Sequence, residues 1–410
     1  MSFIFHANTQ INLYQAGQDL AASLADLLTI FPTSSFLLTC KALQNYHSKD
    51  LLAAEQDFSH VLALHPHRLD SLDHYSNILY VLNMRPKLAF LAHLCSSIDK
   101  FRPESCVVIG NYYSLLSQHE KAVQYFRRAL TLDRSCLSAW TLMGHEYVEL
   151  KNTHAAIESY RRAVDVNRRD YRAWYGLGQT YEVLEMHAYA LYYYKRAAGL
   201  RPWDGKMWQA VGSCLQKMGK ARDGIKALKR ALLADSYMES TTSSFGSGAS
   251  ADRTAQMDPD VLLQIATMYD GLDEEDQAKA YMELCVAQED GGAVGVVESG
   301  ANLNESVAIH HDSPGGLSDG EGGGEGKSQW TKGAGADDEE QANNEGTGVT
   351  AATSKARMWL ARYAMRAEDY TTADRLATEL IQDGVEVEEA KALKREAQSR
   401  MEELVGPMER

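Results

Sequence analysis

Cysteine is sparse in this 410-residue chain, and its six copies (Cys40, Cys95, Cys106, Cys136, Cys214 and Cys285) include no C-x-x-C pair. Scattered like this they exclude a disulfide framework and read as small apolar residues in a reducing compartment. No apolar run approaches the ~20 residues that cross a bilayer, so no membrane contact is expected. The start, MSFIFHANTQ, has neither the basic segment nor the long apolar segment of a signal peptide. Nucleus and cytoplasm are the expected location. The thirteen histidines give no H-E-x-x-H and no companion cysteine pair, so neither a metal nor a cofactor is expected. Positive charge is short as well: 41 Lys and Arg stand against 56 Asp and Glu, a net −15. No basic stripe of the kind that tracks phosphates is visible, which argues against nucleic acid as a partner.

Catalytic constellations are missing too. GEGGGEGKS, Gly320 to Ser328, imitates a phosphate loop, but the required first glycine is Glu321, and neither a strand before it nor a helix after it is in evidence. No Ser-His-Asp or Cys-His set can be placed in one site, so the chain is not expected to be an enzyme. Asn304-Glu305-Ser306 is a glycosylation acceptor in form only, given no secretory signal.

What is present is a period. Gly110, Gly144, Gly178 and Gly212 are 34 residues apart, as are Ala129, Ala163, Ala197 and Ala231. Tyr113, Tyr147 and Tyr181 form a third column continued by Leu215, and Phe126, Tyr160, Tyr194 and Leu228 a fourth. WTLMGHEY from Trp140 and WYGLGQTY from Trp174 match the W-x2-L-G-x2-Y opening of a tetratricopeptide repeat (TPR). Small residues at the eighth, twentieth and twenty-seventh positions let helix A and helix B of each hairpin approach. Large ones at the fourth, seventh, eleventh and twenty-fourth fill the space between them. The expected class is all-α: a TPR superhelix, an α-solenoid of helix-turn-helix repeats, with disordered insertions.

The organisation follows from where the columns hold. Residues 1–68 read as degenerate repeats, 69–236 as the core array and 258–290 as a further repeat. The Ser/Thr/Gly-rich stretch 237–257 reads as a flexible insertion. Residues 291–353, with fifteen glycines and eleven acidic residues against two lysines, read as a disordered linker. Residues 354–410 read as a last degenerate repeat and a capping helix near 385–403, whose polar outer face would end the solenoid.

The packing columns leave the second, fifth, sixth, ninth, twelfth and thirteenth positions of helix A free to line a concave groove. Asn77, Asn111, His145 and Gln179 fall at the ninth position, and Tyr112 and Glu146 beside it at the tenth. A carboxylate among amides suits an extended peptide with a basic side chain, which it can hold by charge-assisted hydrogen bonds. Clamps for C-terminal carboxylates use Lys and Asn at such positions. Here Asp73, Val107, Thr141 and Leu142 stand there instead, so a chaperone tail is the weaker ligand.

Some words in the repeats are not demanded by the fold: HYSNILYVLNM from His74, GNYYSLLSQHEKAVQYFRRAL from Gly110, WTLMGHEYVELKNTHAAI from Trp140 and RDYRAWYGLGQTYEVLEMHAYALYYYKRA from Arg169. Across about 69–236, and on to 290, the chain resembles the cell division cycle protein 23 family, subunit 8 of the anaphase-promoting complex or cyclosome. The resemblance implies a non-catalytic scaffold subunit of a ubiquitin ligase that drives mitotic exit, with the complex's other TPR and scaffold subunits as partners. It also implies a groove for the arginine-containing C-box of β-propeller coactivators. Asn111 and Glu146 are then the first candidates to hold that arginine, with Asn77, Tyr112, His145 and Gln179 nearby. The family dimerises through N-terminal repeats. This sequence begins inside the array, so self-association by that route is not expected. The competing readings are a TPR adaptor or co-chaperone of another assembly, and a regulatory TPR fragment of a larger enzyme.

Overall fold

The structure, a computed structural model, describes residues 18–243, 257–290, 348–384 and 387–405. Among them are eighteen α-helices, one 3-10 turn and no strand, so the chain is an all-α TPR protein. It divides into two compact units at Pro202/Trp203, inside the stretch that reads as one array. The first holds α1 (Gln18–Ile30), α2 (Ser35–His47), α3 (Leu51–Leu64), α4 (Leu72–Val81), α5 (Arg85–Ile98), α6 (Pro103–Leu115), α7 (His119–Leu132), α8 (Leu137–Glu149), α9 (Thr153–Val166), α10 (Tyr171–Val183) and α11 (His187–Leu200). The second holds α12 (Gly205–Lys217), α13 (Ala221–Ser243), α14 (Pro259–Asp270), α15 (Glu275–Ala287), α16 (Ala351–Arg366), α17 (Tyr370–Asp383) and α18 (Val387–Val405). In each unit successive helices pack on one another in chain order.

Local sequence explains the helix ends. The Asn152 side chain accepts the Ala155 N–H at the start of α9, and Asp170 accepts the Arg172 N–H at the start of α10. Pro103 opens α6, where its missing N–H costs nothing. Pro32, Pro66 and Pro202 each follow the end of a helix B. The turn between helix A and helix B passes through the left-handed region at Lys49, Asn83, Ser117, Lys151, Glu185 and Gly219, again 34 apart. Only the last is glycine, so sequence reading has no glycine column to reveal this turn.

The glycine column makes the close approach expected of it. A Cβ on Gly110 would lie 2.4 Å from the Phe126 ring, on Gly144 2.5 Å from Tyr160, on Gly178 2.5 Å from Tyr194 and on Gly212 2.6 Å from Leu228. Each contact joins the eighth position to the twenty-fourth of the same hairpin. Ala129, Ala163, Ala197 and Ala231 are fully buried. The tryptophans tie each hairpin to the turn before it: Trp140 Nε1–H donates to the Arg134 carbonyl (3.0 Å), and Trp174 to that of Arg168 (2.8 Å). Trp140→Phe keeps an aromatic six-membered ring and removes the donor with the five-membered ring that carries it. It should cost at least about 0.5–1.5 kcal/mol in chemical denaturation, the net worth of a hydrogen bond; an unchanged midpoint would mean that the bond to the Arg134 carbonyl contributes nothing to stability.

Two boundaries differ from the sequence reading. Helix α13 runs on to Ser243, into the stretch taken as an insertion, and residues 244–256 lie outside the described residues. Helix α16 begins at Ala351, inside the stretch taken as linker, because Thr350 and Thr353 form a reciprocal capping box. Residues 291–347 of that linker, including Gly320–Ser328 and Asn304, lie outside the described residues. Helix α18 occupies the place of the expected capping helix. No described helix is long and apolar enough to cross a membrane, and no described cluster of His, Cys, Asp or Glu could hold a metal ion.

Candidate functional site

In the first unit the helix A faces converge on a cavity of about 740 Å³. Its α4 wall consists of Asp73, His74, Asn77, Tyr80 and Val81, the fifth, sixth, ninth, twelfth and thirteenth positions of that repeat. Ser138, Thr141, Leu142 and His145 supply the second, fifth, sixth and ninth positions from α8. Helices α2 and α10 close the ring. The Arg172 guanidinium donates to the Tyr46 hydroxyl (2.7 Å) and lies over its ring, while Arg201 donates to the His47 carbonyl (2.7 Å).

The lining is acidic. Asp70, Asp73, Glu104, Asp133 and Asp170 face one guanidinium, that of Arg172. Asp170 is held by the Thr141 hydroxyl (3.2 Å) and by Arg172, and Asp70 by Arg102 (2.9 Å). Asp73 accepts the Ser138 hydroxyl at 2.8 Å and has His74 Nε2 at 3.9 Å, which leaves acceptor capacity toward the cavity. His74 Nδ1 is buried in the same wall without a hydrogen-bond partner. The His47 and His145 imidazoles add no positive charge. Burial, with the cations Arg172 and Arg201 and the neighbouring His74, pulls His47 down to about 3. His145 is exposed on the cavity wall, yet desolvation by the surrounding protein, and then Arg172, pull it down to about 4. Its Nδ1 sits 2.9 Å from the Tyr160 hydroxyl.

Of the six expected groove residues, Asn77 and His145 line this cavity. Asn111 and Glu146 do not stand open, contrary to the expectation for helix A positions nine and ten. They are 1% and 4% exposed, because neighbouring helices A pack closely and polar groups there bridge the seam. Asn111 Nδ2 donates to Ser76 Oγ (2.8 Å) and Asn77 Oδ1 (2.7 Å). Glu146 accepts the Ser114 hydroxyl (2.6 Å) and lies 2.8 Å from His119 Nδ1. Tyr112 is half-buried against Tyr113, and Gln179 is exposed away from the cavity. The aspartates are the site residues that sequence reasoning missed. Asp73 was visible at the fifth position, whereas Asp133 and Asp170 lie in turns that a helix-face rule does not cover.

The comparisons with known proteins fit this architecture. Residues 1–42 match the family described as anaphase promoting complex subunit 8 / Cdc23, and residues 103–136, 141–204 and 259–289 match tetratricopeptide repeats. The anaphase-promoting complex subunit CDC23 of Saccharomyces cerevisiae is 47% identical over 125 residues, which is 30% of this chain and 20% of that protein. The chain is a tetratricopeptide-repeat protein that resembles the subunit 8/Cdc23 family. Anaphase-promoting complex subunit 8 of Dictyostelium discoideum is 46% identical over 142 residues, 35% of this chain and 24% of that protein. The chain thus matches only a fifth to a quarter of the length of these relatives. Among solved structures, the hetero-tetramer Cut9-Hcn1 of the same complex superposes with a TM-score of 0.54 at 15% identity, over 93% of this chain and 59% of that one. At that identity the likeness concerns the fold.

Proposed function

We propose that this Cdc23-like chain is a non-catalytic scaffold subunit of an anaphase-promoting complex, acting in nucleus and cytoplasm beside the complex's other TPR and scaffold subunits. Its first-unit cavity receives the arginine-containing C-box of a β-propeller coactivator. The observation that carries the reading is the cavity itself: a preformed, acidic, helix A-lined space of a size that suits a side chain and its flanking backbone. A guanidinium entering it gains charge-assisted bonds to Asp73 while the walls give up little entropy. Calorimetric titration of the chain with a C-box peptide tests this. The arginine peptide should bind, and the same peptide with Arg→Ala should bind at least about tenfold more weakly, a difference near 1.4 kcal/mol. Equal affinity of the two peptides would overturn the site. Tighter binding of a chaperone C-terminal peptide would favour the adaptor reading, against which Asp73, Thr141 and Leu142 already stand.

A further inference from the structure

A second charged surface lies on the other side of the hairpins. The twenty-fifth and twenty-sixth positions of successive repeats are Arg127-Arg128 on α7, Arg161-Arg162 on α9 and Lys195-Arg196 on α11, all at a spacing of 34. The first of each pair serves the stack where it has a partner: Arg127 donates to the Tyr147 hydroxyl (2.6 Å) and Arg161 to that of Tyr181 (2.8 Å), each in the next helix A. The second rests on an aromatic platform, Arg128 half-buried and Arg196 exposed. Arg128 lies over the Phe101 ring at 5.2 Å and Arg196 over Tyr192 at 5.5 Å. Neither forms an ion pair with a described residue. Arg162 pairs with Glu158, but both are more than half exposed, so that pair is weak. Lys195 is exposed as well.

We propose that the outer face of α7, α9 and α11 is a docking ridge for an acidic segment of a partner polypeptide. A ring beneath a guanidinium fixes its plane and leaves N–H groups at its edge for a carboxylate; Arg196 turns one of them to the Tyr192 hydroxyl at 3.4 Å and keeps the others. Exposed Phe101, Tyr189 and Tyr192 beside these arginines suit a partner that also brings apolar side chains. A polypeptide is favoured over nucleic acid because carboxylates punctuate the ridge. Glu120 stands on α7 and Glu158 and Asp165 on α9, and the whole chain is at −15. A phosphate backbone, charged at every step, has to pass each of these, whereas a peptide can place its acids only at the arginines.

The test uses the full chain with two labelled probes, a Glu-Ala repeat peptide and a single-stranded DNA oligonucleotide, in fluorescence anisotropy at low and at physiological salt. The peptide should bind, and weaken as salt screens the ridge. Arg128→Glu with Arg196→Glu should weaken it by more than roughly tenfold, and Arg128→Gln with Arg196→Gln by less, since loss of attraction is smaller than repulsion. Circular dichroism melts should fall by a similar small amount in both variants, because each loses the same ring contacts at Phe101 and Tyr192, so the difference in binding between the variants reports charge. Binding of the arginine C-box peptide should also be retained, which separates this ridge from the cavity. No binding of the acidic peptide to the unaltered chain, equal binding to the double Glu variant, or binding of the oligonucleotide alone would each overturn the proposal.

Discussion

Gly144→Leu is expected to unfold the hairpin of α8 and α9, with a loss of at least about 3 kcal/mol in denaturant melts, at or beyond the upper end of overpacking penalties. Even a single Cβ at this position would stand 2.5 Å from Tyr160 Cε1, a separation that real Cβ contacts do not show. The ring cannot retreat. Tyr160 is fully buried, and on its far side a Cβ at Gly176 of α10 would meet the same ring at 2.5 Å. The strain must therefore go into the backbone of two helices. Because each repeat leans only on its neighbours, separation at α8–α9 also removes support from α7 and α10. Gly199, inside α11 with nothing within 4 Å of its Cβ position, is the matched control. Gly199→Ala should instead gain about 0.5–1 kcal/mol, the usual benefit of replacing a helical glycine. If Gly144→Leu melted like the unaltered chain, the assignment of the glycine column to tight helix crossings would fail.

The contrast between these two glycines shows what was legible in the sequence. A 34-residue step identifies Gly144 as a packing position because its column also holds Gly110, Gly178 and Gly212; Gly199 has no such column. Steric demands that recur in every hairpin leave a periodic record, and the helix A–helix B contacts are readable for that reason. Two other features recur just as regularly and were not read. The left-handed turn at Lys49, Asn83, Ser117, Lys151 and Glu185 is stereochemically regular but chemically mixed, since the flanking helices impose the conformation. The basic pairs on α7, α9 and α11 are separated by 34 residues, so no run of charge exists in the sequence although the fold brings them onto equivalent helices. The site was half legible for a related reason. Helix periodicity finds Asn77 and His145, but the seam between neighbouring helices A buries Asn111 and Glu146 one position further round. Asp133 and Asp170 reach the cavity from turns, where the helical period carries no information.

Asp73→Asn is expected to weaken binding of the arginine C-box peptide by about 1.5–3 kcal/mol, the worth of a hydrogen bond to a charged group, whereas Glu146→Gln is expected to leave it unchanged. The glutamine keeps an oxygen for the Ser114 hydroxyl, so the substitution removes charge while it spares the seam. Glu146→Ala should leave the affinity unchanged and lower the melting temperature, since Ser114 and His119 both lose their acceptor. A ligand guanidinium can reach this carboxylate only where His119 Nδ1 now lies, 2.8 Å from Oε2. His119→Ala should therefore leave the complex unchanged, and a tighter complex would point to Glu146 instead. Asp73→Asn separates the two places the guanidinium could occupy, because Asp73 opens directly on the cavity and Glu146 does not. If Asp73→Asn abolished binding and both Glu146 variants bound normally, the arginine would sit against the α4 wall, and Glu146 would be a seam residue with no part in recognition. Loss of affinity in Glu146→Gln with an unchanged melting temperature has no such structural explanation. It would place the guanidinium between α6 and α8, with His119 displaced on binding.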